Sequence, residues 1–278
     1  MAGGAVGSQK AEAAGVASAA SLLRTQHLSV SFGDHKAVND ITASFSGGKL
    51  TAIVGPNGAG KTTYFNLISG QIKSTAGAIW LGEEDITGCS AALRAVKGLG
   101  RAFQLTNLFP RLTVLENVRL AIQAKTPGAH RNGFNFWSIW SDSAKLVDQA
   151  VDILASVSMA QKRDAIVGNL SHGDQRKLEV AMLIAMDPKV YMFDEPTAGM
   201  SIDEAPIVLE LIRGLKALHD KTILLVEHKM DVVRDLADRI IVLHNGELVA
   251  DGEPAAVIAS PIVQEAYLGT PAAGSQDP

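Results

Sequence analysis

Strand-like and helix-like stretches of apolar residues alternate along the chain, separated by turns rich in glycine, proline and asparagine. Strand-length runs occur at residues 27–32, 37–45, 50–54, 78–81, 98–103, 190–193, 222–226 and 240–250, the last turning at Asn245 and Gly246. Helical spacing of apolar residues instead marks residues 91–96, 113–118, 143–157, 172–186, 206–218 and 230–237. Strands interleaved with helices predict an α/β fold.

The pattern also predicts how the chain is divided. Residues 1–24 are rich in alanine, glycine and serine and lack the basic start and leucine-rich centre of a secretory signal, so we expect a disordered leader. Residues 25–270 are expected to form one domain, and residues 271–278 a loose tail. From about 105 to 180 the pattern is mainly helical, which predicts a helical subdomain inserted in that domain.

Composition narrows the possible functions. The 278 residues are 47% hydrophobic with a formal net charge of −4, which argues against a nucleic-acid surface. The single cysteine, Cys89, excludes an internal disulfide framework and is more plausible as a small turn residue than as a catalytic thiol. No apolar run approaches the roughly 20 residues that span a bilayer. We therefore expect a soluble, cytosolic chain.

One glycine-rich segment carries the clearest chemistry. It follows the apolar run 50–54, precedes a helical pattern, and consists of Gly55, Pro56, Asn57, Gly58, Ala59, Gly60, Lys61, Thr62 and Thr63. Strand, glycine loop and helix N-terminus together form a cradle for polyphosphate. Lys61 would reach the outer phosphates, and the Thr62 hydroxyl would ligate Mg²⁺. The segment predicts binding of a nucleoside triphosphate.

Further polar or aromatic residues follow predicted strands. Asp194 and Glu195 end the apolar run 190–193, and His228 comes shortly after the run 222–226. The carboxyl ends of parallel strands are where such sheets bind ligands. Phe32 also ends a strand, and it is open to two interpretations, stacking on a flat ligand such as adenine or packing in the core. Gln104, taken alone, is equally consistent with a polar surface residue.

The phosphate loop is followed in order by Gln104, Ser171, Glu195 and His228. With this order of residues the chain closely resembles the ATP-binding-cassette (ABC) ATPases over residues 26–269. The resemblance implies a P-loop NTPase (RecA-like) core with an inserted helical subdomain and an N-terminal antiparallel β subdomain. It implies roles for seven residues: Phe32 stacks on adenine, Gln104 senses the γ-phosphate and ligates the metal, Ser171 and Gly173 belong to the signature loop, Asp194 ligates Mg²⁺, Glu195 is the general base, and His228 is the switch histidine. ATP and Mg²⁺ are the implied cofactors.

Three positions depart from the family pattern. His172 replaces a commoner glycine, at little cost if its backbone avoids positive φ. Asp174 replaces a glutamine and brings an anion near a partner's phosphate, and Ser201 stands where many relatives have an aspartate. These departures leave ATP binding secure and bear on the symmetry of the site and the rate of hydrolysis.

Within that family, the chain is similar to the ATPases of bacterial branched-chain amino acid importers. The similar segments are 100–104, 197–200, 263–269 and the aromatic insertion from Phe134 to Trp140. The resemblance implies two permease subunits, a second ABC ATPase that is a copy or a paralogue, indirect cooperation with an extracytoplasmic solute-binding protein, and a peripheral place on the cytoplasmic face of the inner membrane. No nucleic-acid partner is implied.

Several alternatives remain open on sequence alone. A urea or amide importer and a lipopolysaccharide-export ATPase share parts of the same pattern. A soluble ABC ATPase outside transport, or a nucleotide-binding switch without turnover, are rivals of another class. The aromatic insertion is either a small satellite core or an anchor for a partner surface.

Overall fold

The computed structural model describes residues 21–102, 108–125, 143–261, 263 and 264. Its strands are β1 (Ser21–Phe32), β2 (His35–Ser46), β3 (Leu50–Val54), β4 (Ala76–Leu81), β5 (Glu84–Asp85), β6 (Leu99–Ala102), β7 (Val190–Asp194), β8 (Thr222–Val226), β9 (Arg239–His244) and β10 (Glu247–Gly252). Its α-helices are α1 (Lys61–Ser69), α2 (Ala91–Val96), α3 (Val114–Lys125), α4 (Ser143–Ser156), α5 (His172–Met186), α6 (Ala205–Lys216), α7 (Met230–Leu236) and α8 (Pro254–Ile258). The predicted alternation of strands and helices is confirmed.

The strands form two sheets. One has the order β2-β1-β4-β5 and is antiparallel, and the other has the order β10-β9-β3-β8-β7-β6. In the second sheet all pairs are parallel except β10 with β9. Strands β3, β7 and β8 are buried along their whole length, as continuous apolar runs in a parallel sheet predict.

The N-terminal boundary differs from the prediction. Strand β1 begins at Ser21, so its first four residues lie within the predicted leader, which ends at residue 24. Leu23 is fully buried and pairs with Phe45 on one side and Leu81 on the other. Burial of a leucine side chain stabilises the fold by about 1.5–3 kcal/mol, so the strand extends to include it. The sequence did not indicate this longer strand, because the preceding segment is rich in small residues.

Helices α3, α4 and α5 pack around an apolar cluster of their own. Val118, Leu154 and Leu178 are fully buried in it. The start of α3 has the predicted capping arrangement, because the backbone N–H of Thr113 donates to Glu116 Oε2 at 2.8 Å and the N–H of Glu116 donates to Thr113 Oγ1 at 3.2 Å. This segment lies between β6 and β7 in sequence, where the inserted helical subdomain is predicted.

Helix α5 begins and ends where the sequence predicts. Ser171 is its N-cap and accepts a hydrogen bond from the N–H of Asp174, and His172, its first residue, avoids positive φ. The helix ends at Met186, where Asp187 adopts a left-handed conformation with φ 45°. Pro188 follows, and a proline disfavours the α conformation of the residue before it.

Candidate active site

The phosphate loop connects the central strand β3 to helix α1. Gly55 and Gly60 have φ of 153° and 93°. A Cβ at Gly55 would lie 2.2 Å from Leu243 O, and one at Gly60 would lie 2.4 Å from Ala37 O. Both positions therefore require glycine, and the loop follows a path that other residues cannot adopt.

Two distant segments support this loop from outside. The N–H of Gly246, in the β9–β10 turn, donates to Ala59 O at 3.1 Å. The same turn accepts a hydrogen bond from the N–H of Asn39 in β2, at 2.8 Å to Gly246 O. The loop thus lies against β2 and the β9–β10 turn, so its shape is set by the fold and not by a ligand alone.

Lys61, the first residue of α1, has its ammonium group folded onto the loop. Its Nζ donates to Gly55 O at 2.7 Å and to Pro56 O at 2.9 Å, and the residue is buried. Burial lowers the pKa of Lys61, while Glu195 and Asp194 oppose that shift. A cation held by neutral carbonyls beside the loop is placed to meet a phosphate.

An open cleft of about 400 Å³ collects most of the predicted site residues. It is lined by Phe32, His35, Ala37, Asn57, Gly58, Ala59, Gly60, Lys61, Thr62, Thr63, Glu195 and His228. Phe32 is 54% exposed and contributes to this lining. The interpretation of Phe32 as a core residue is therefore wrong, and its ring is available to a flat ligand.

Glu195 and His228 meet at one side of the cleft. His228 Nε2 lies 2.7 Å from Glu195 Oε1, and both side chains are about 40% exposed. Glu195 has a positive φ of 51°, and its N–H is held by Val226 O at 2.9 Å. Non-glycine residues with such a backbone cluster at functional sites. The turn aims the carboxylate away from the sheet and into the cleft.

Asp194 lies behind the cleft, where it meets a partner that the sequence did not predict. It is 8% exposed, and its Oδ2 accepts a hydrogen bond from Arg101 Nη2 at 2.6 Å. Burial raises the pKa of Asp194, although the Arg101 guanidinium acts in the opposite direction. The predicted metal-binding carboxylate is thus held by a cation on strand β6.

A second buried carboxylate joins the two segments that carry Glu195 and His228. Glu227 is 3% exposed and accepts hydrogen bonds from Thr197 Oγ1 at 2.6 Å and from the N–H of His228 at 2.9 Å. Thr197 follows Glu195 by two positions. Glu227 therefore fixes the spacing between the segments that carry Glu195 and His228.

The predicted signature residues begin helix α5 and do not line this cleft. Ser171 donates from Oγ to Asp174 Oδ2 at 3.0 Å, and Asp174 also pairs with Lys162 and Lys177. Burial acts to raise the pKa of Asp174, but the bonds from Lys162 and Ser171 outweigh it and lower that pKa. The Asp174 carboxylate is thus buried, and its negative charge is balanced by Lys162 and Lys177.

Gly173 and Ser201 both contact Glu204, which lies in the loop before α6. A Cβ on Gly173 would lie 1.9 Å from Glu204 Oε1, so a larger residue at this position would displace the Glu204 carboxylate. The N–H of Ser201 donates to Glu204 Oε2, and the N–H of Glu204 donates to Ser201 Oγ, each at 3.3 Å. Ser201, where relatives often have aspartate, closes a local turn.

Gln104 and the aromatic insertion lie outside the described residues. The remaining predicted positions, from the loop to Asp194, Glu195 and His228, are all described. Within the described ranges no group of three His, Cys, Asp or Glu side chains could hold a metal ion by itself. A Mg²⁺ ion with few protein ligands and a nucleotide to complete its shell needs no such cluster.

Sequence reasoning did not identify Arg101 and Glu227 as functional. Arg101 is a charged residue within a strand whose neighbours are buried. Glu227 directly follows the apolar strand β8 and directly precedes His228. A charged residue within a buried strand, or directly after one, must have a partner. This rule could have indicated from the sequence that Arg101 and Glu227 pair with other polar groups.

A phosphate loop, a carboxylate that follows another parallel strand of the same sheet, and a histidine in contact with it define a nucleoside triphosphatase of the P-loop class. Residues 38–198 match the family model described as ABC transporter. The chain belongs to the ABC transporter family, and within that family it is a nucleotide-binding subunit that hydrolyses ATP to power transport.

Individual relatives match nearly their whole length. The high-affinity branched-chain amino acid transport ATP-binding protein LivG of Escherichia coli K12 is 36% identical over 250 residues, covering 89% of this chain and 98% of LivG. BraF of Pseudomonas aeruginosa, which carries the same description, is 33% identical over 259 residues, covering 89% of this chain and 98% of BraF.

A solved structure agrees with this placement. The ADP conformation of an ATP-binding cassette from an ABC transporter superposes with a TM-score of 0.74 at 30% identity, covering 90% of this chain and 99% of that one. In the described ranges, none of the helices combines the length and the apolar character that a membrane crossing requires.

Proposed function

We propose that this chain is the ATPase of an importer for branched-chain amino acids. The support is the 36% identity to LivG across 98% of the length of that protein, together with the importer-like segments 100–104 and 197–200. A urea or amide importer and a lipopolysaccharide exporter are the alternatives against which the uptake experiment below tests this proposal.

The proposed roles in hydrolysis follow from the cleft. Adenine stacks on Phe32, the phosphates lie along residues 55–63 with Lys61 at the outer ones, and Glu195 polarises the attacking water as general base. His228, held against Glu195, orients the carboxylate and reaches toward the γ-phosphate. The observation that carries this assignment is the 2.7 Å contact between Glu195 Oε1 and His228 Nε2 in the cleft that also contains Lys61.

The residues present fit a magnesium ion. Thr62 lines the cleft, and the buried Asp194 ends β7, two strands from β3 in the same sheet, so a hydroxyl and a carboxylate oxygen are available. Both are hard oxygen donors of the kind that Mg²⁺ prefers, and the ion keeps waters and phosphate oxygens for its other positions. When bound, the ion would neutralise charge on the phosphates. Gln104 is the third proposed ligand.

The proposed assembly places two such subunits together with two permease subunits. Ser171 and Gly173 do not line the cleft, which supports a composite arrangement in which they meet nucleotide held by a second ABC ATPase, a copy or a paralogue. We place the subunit peripherally on the cytoplasmic face of the inner membrane, with the solute-binding protein on the other side.

Replacing the general base tests this proposal. We expect Glu195→Gln to lower kcat for ATP by at least about 100-fold, because general-base catalysis contributes about 10²–10⁴ to rate, while ATP affinity changes little. The measurements are steady-state hydrolysis and nucleotide binding, with the exposed-site variant Glu253→Gln as control. Undiminished hydrolysis in Glu195→Gln would refute the assigned role.

The same variant tests the transported solute. A host lacking the gene is complemented with the wild type or with Glu195→Gln, and uptake of radiolabelled leucine, isoleucine, valine and urea is measured. We expect the wild type alone to restore uptake of the three amino acids. Restored urea uptake, or uptake that does not depend on the gene, would reject the proposed substrate class in favour of an alternative.

A further inference from the structure

The guanidinium of Arg101 is a buried charged group near the cleft that makes several hydrogen bonds and has no role in the proposed hydrolysis scheme. It lies on β6, opposite Met192 of β7 in the sheet register. Its Nη2 donates to Asp194 Oδ2 at 2.6 Å, and its Nη1 donates to Asn66 Oδ1 at 2.7 Å and to Ser69 Oγ at 2.8 Å. One side chain therefore joins β6, β7 and the helix that follows the phosphate loop.

These contacts are shielded from solvent. The side chains of Arg101 and Asp194 are only 10% and 7% exposed. The guanidinium also lies over the ring of Phe65, at 5.3 Å from its centroid. A buried carboxylate with a planar cation on one oxygen has little freedom to rotate, because rotation would leave both charges unpaired in a region that excludes water.

We propose that Arg101 is a positioning residue for the divalent metal ion of the ATP site, acting through Asp194. By occupying Oδ2 and anchoring itself to Asn66 and Ser69, it leaves the other carboxylate oxygen directed at a fixed point relative to α1, which carries Thr62. Outer partners of metal-binding carboxylates act in this way, and their loss costs 10–100-fold in metal affinity or activity. The inference rests on the proposed role of Asp194 in metal binding.

Arg94 offers a matched control. It too is buried, at 2% exposure, and it too anchors helix α1, since its Nη1 donates to Leu67 O and Ile68 O at 2.6 Å. Its other bonds go to the carbonyls of Cys89 and Thr87, and the structure gives it no contact with Asp194. If replacing Arg101 acts merely by loosening α1, replacing Arg94 should therefore have the same effect.

The test is a titration of Mn²⁺ into the full-length protein saturated with ADP, with bound metal measured by electron paramagnetic resonance. We expect Arg101→Met to weaken Mn²⁺ binding by about 10-fold or more. Arg101→Lys, which keeps the charge but loses the planar fork, should fall between Arg101→Met and wild type. ADP binding without metal should stay within about twofold of wild type, and Arg94→Met should keep wild-type Mn²⁺ affinity.

The possible outcomes distinguish the role of Arg101 from the proposed metal-binding role of Asp194, on which it rests. If Asp194→Asn weakens Mn²⁺ binding but both Arg101 variants match Arg94→Met, the metal site stands and the role of Arg101 is refuted. If Asp194→Asn binds Mn²⁺ as the wild type does, the metal role of Asp194 fails and the inference fails with it. Arg101→Lys keeps the test decisive if Arg101→Met does not fold.

Discussion

At the scale of single residues, buried charges next to the cleft are each matched to a specific partner. Asp194 has Arg101, and Glu227 has the Thr197 hydroxyl and the His228 N–H. An isolated buried charge costs several kcal/mol, so such pairs must be kept together. Polar contacts of this kind also fix geometry, which a purely apolar core does less strictly.

Glu227 provides a prediction about catalytic geometry. Glu227→Gln keeps the shape but removes the charge. Its amide oxygen can still accept from the His228 N–H and its NH₂ can donate to the Thr197 hydroxyl, so two charge-assisted hydrogen bonds become neutral ones. We expect kcat for ATP to fall by about 10-fold with KM nearly unchanged, since a hydrogen bond to a charged group contributes about 1.5–3 kcal/mol and a neutral one about 0.5–1.5 kcal/mol. Steady-state kinetics across ATP concentrations separates the two parameters.

The control for this experiment is Glu179→Gln, which alters another buried carboxylate, 7% exposed, on helix α5. It should leave kcat near the wild-type value. A loss confined to KM in Glu227→Gln, or an equal loss of kcat in both variants, would contradict a positioning role.

Asp174 provides a prediction about pH. Because its pKa is lowered in the folded chain, the stability that it contributes is present above the unfolded value of about 3.9 and is lost as pH falls through the folded pKa. We expect Asp174→Asn to be less stable than wild type at pH 7, and the gap to close toward pH 3. Urea unfolding between pH 3 and 7 measures this.

The matched variant is Asp152→Asn, an exposed carboxylate on helix α4. Its stability should run parallel to that of the wild type across the pH range. A gap between wild type and Asp174→Asn that is constant from pH 7 to pH 3 would show that the carboxylate gains nothing from Lys162 and Ser171.

At the scale of elements, the sequence predicted most of what the structure contains, because each signal was local. The Thr113–Glu116 spacing, the Ser171 cap and the Asp187–Pro188 stop act within one turn, and all three lie where the pattern placed them. Contacts such as Arg101 with Asp194 join segments far apart in sequence. Periodicity carries no information about which distant side chain a charged residue meets, and so that pair was missed.

The capping arrangement of α3 gives an element-scale prediction. Glu116→Ala removes the acceptor for the Thr113 N–H, and loss of such a cap costs about 1 kcal/mol. We expect the melting temperature to fall by about 2–4 °C for a chain of this size. Glu116→Gln keeps an acceptor and should melt near the wild type. Equal losses in Glu116→Ala and Glu116→Gln would contradict the capping role.

At the scale of the whole molecule, the cleft lies where the two sheets meet. Phe32 comes from the antiparallel sheet, whereas the phosphate loop, Glu195 and His228 follow strands of the parallel one. Fold class and family were predictable because the motifs occur in a fixed order along the chain. The start of β1 at Ser21 was not predictable from the sequence, because it depends on Leu23 packing between strands that come later in the chain.

The support given to the phosphate loop by the β9–β10 turn has a consequence for biosynthesis. The loop and β3 leave the ribosome before β8, β9 and Gly246, which flank and support them. A nascent chain released before this hairpin contains every nucleotide-binding motif and still lacks the walls that shape the loop. We therefore expect a nascent chain to bind nucleotide only after the β9–β10 turn has been made and has folded against the loop.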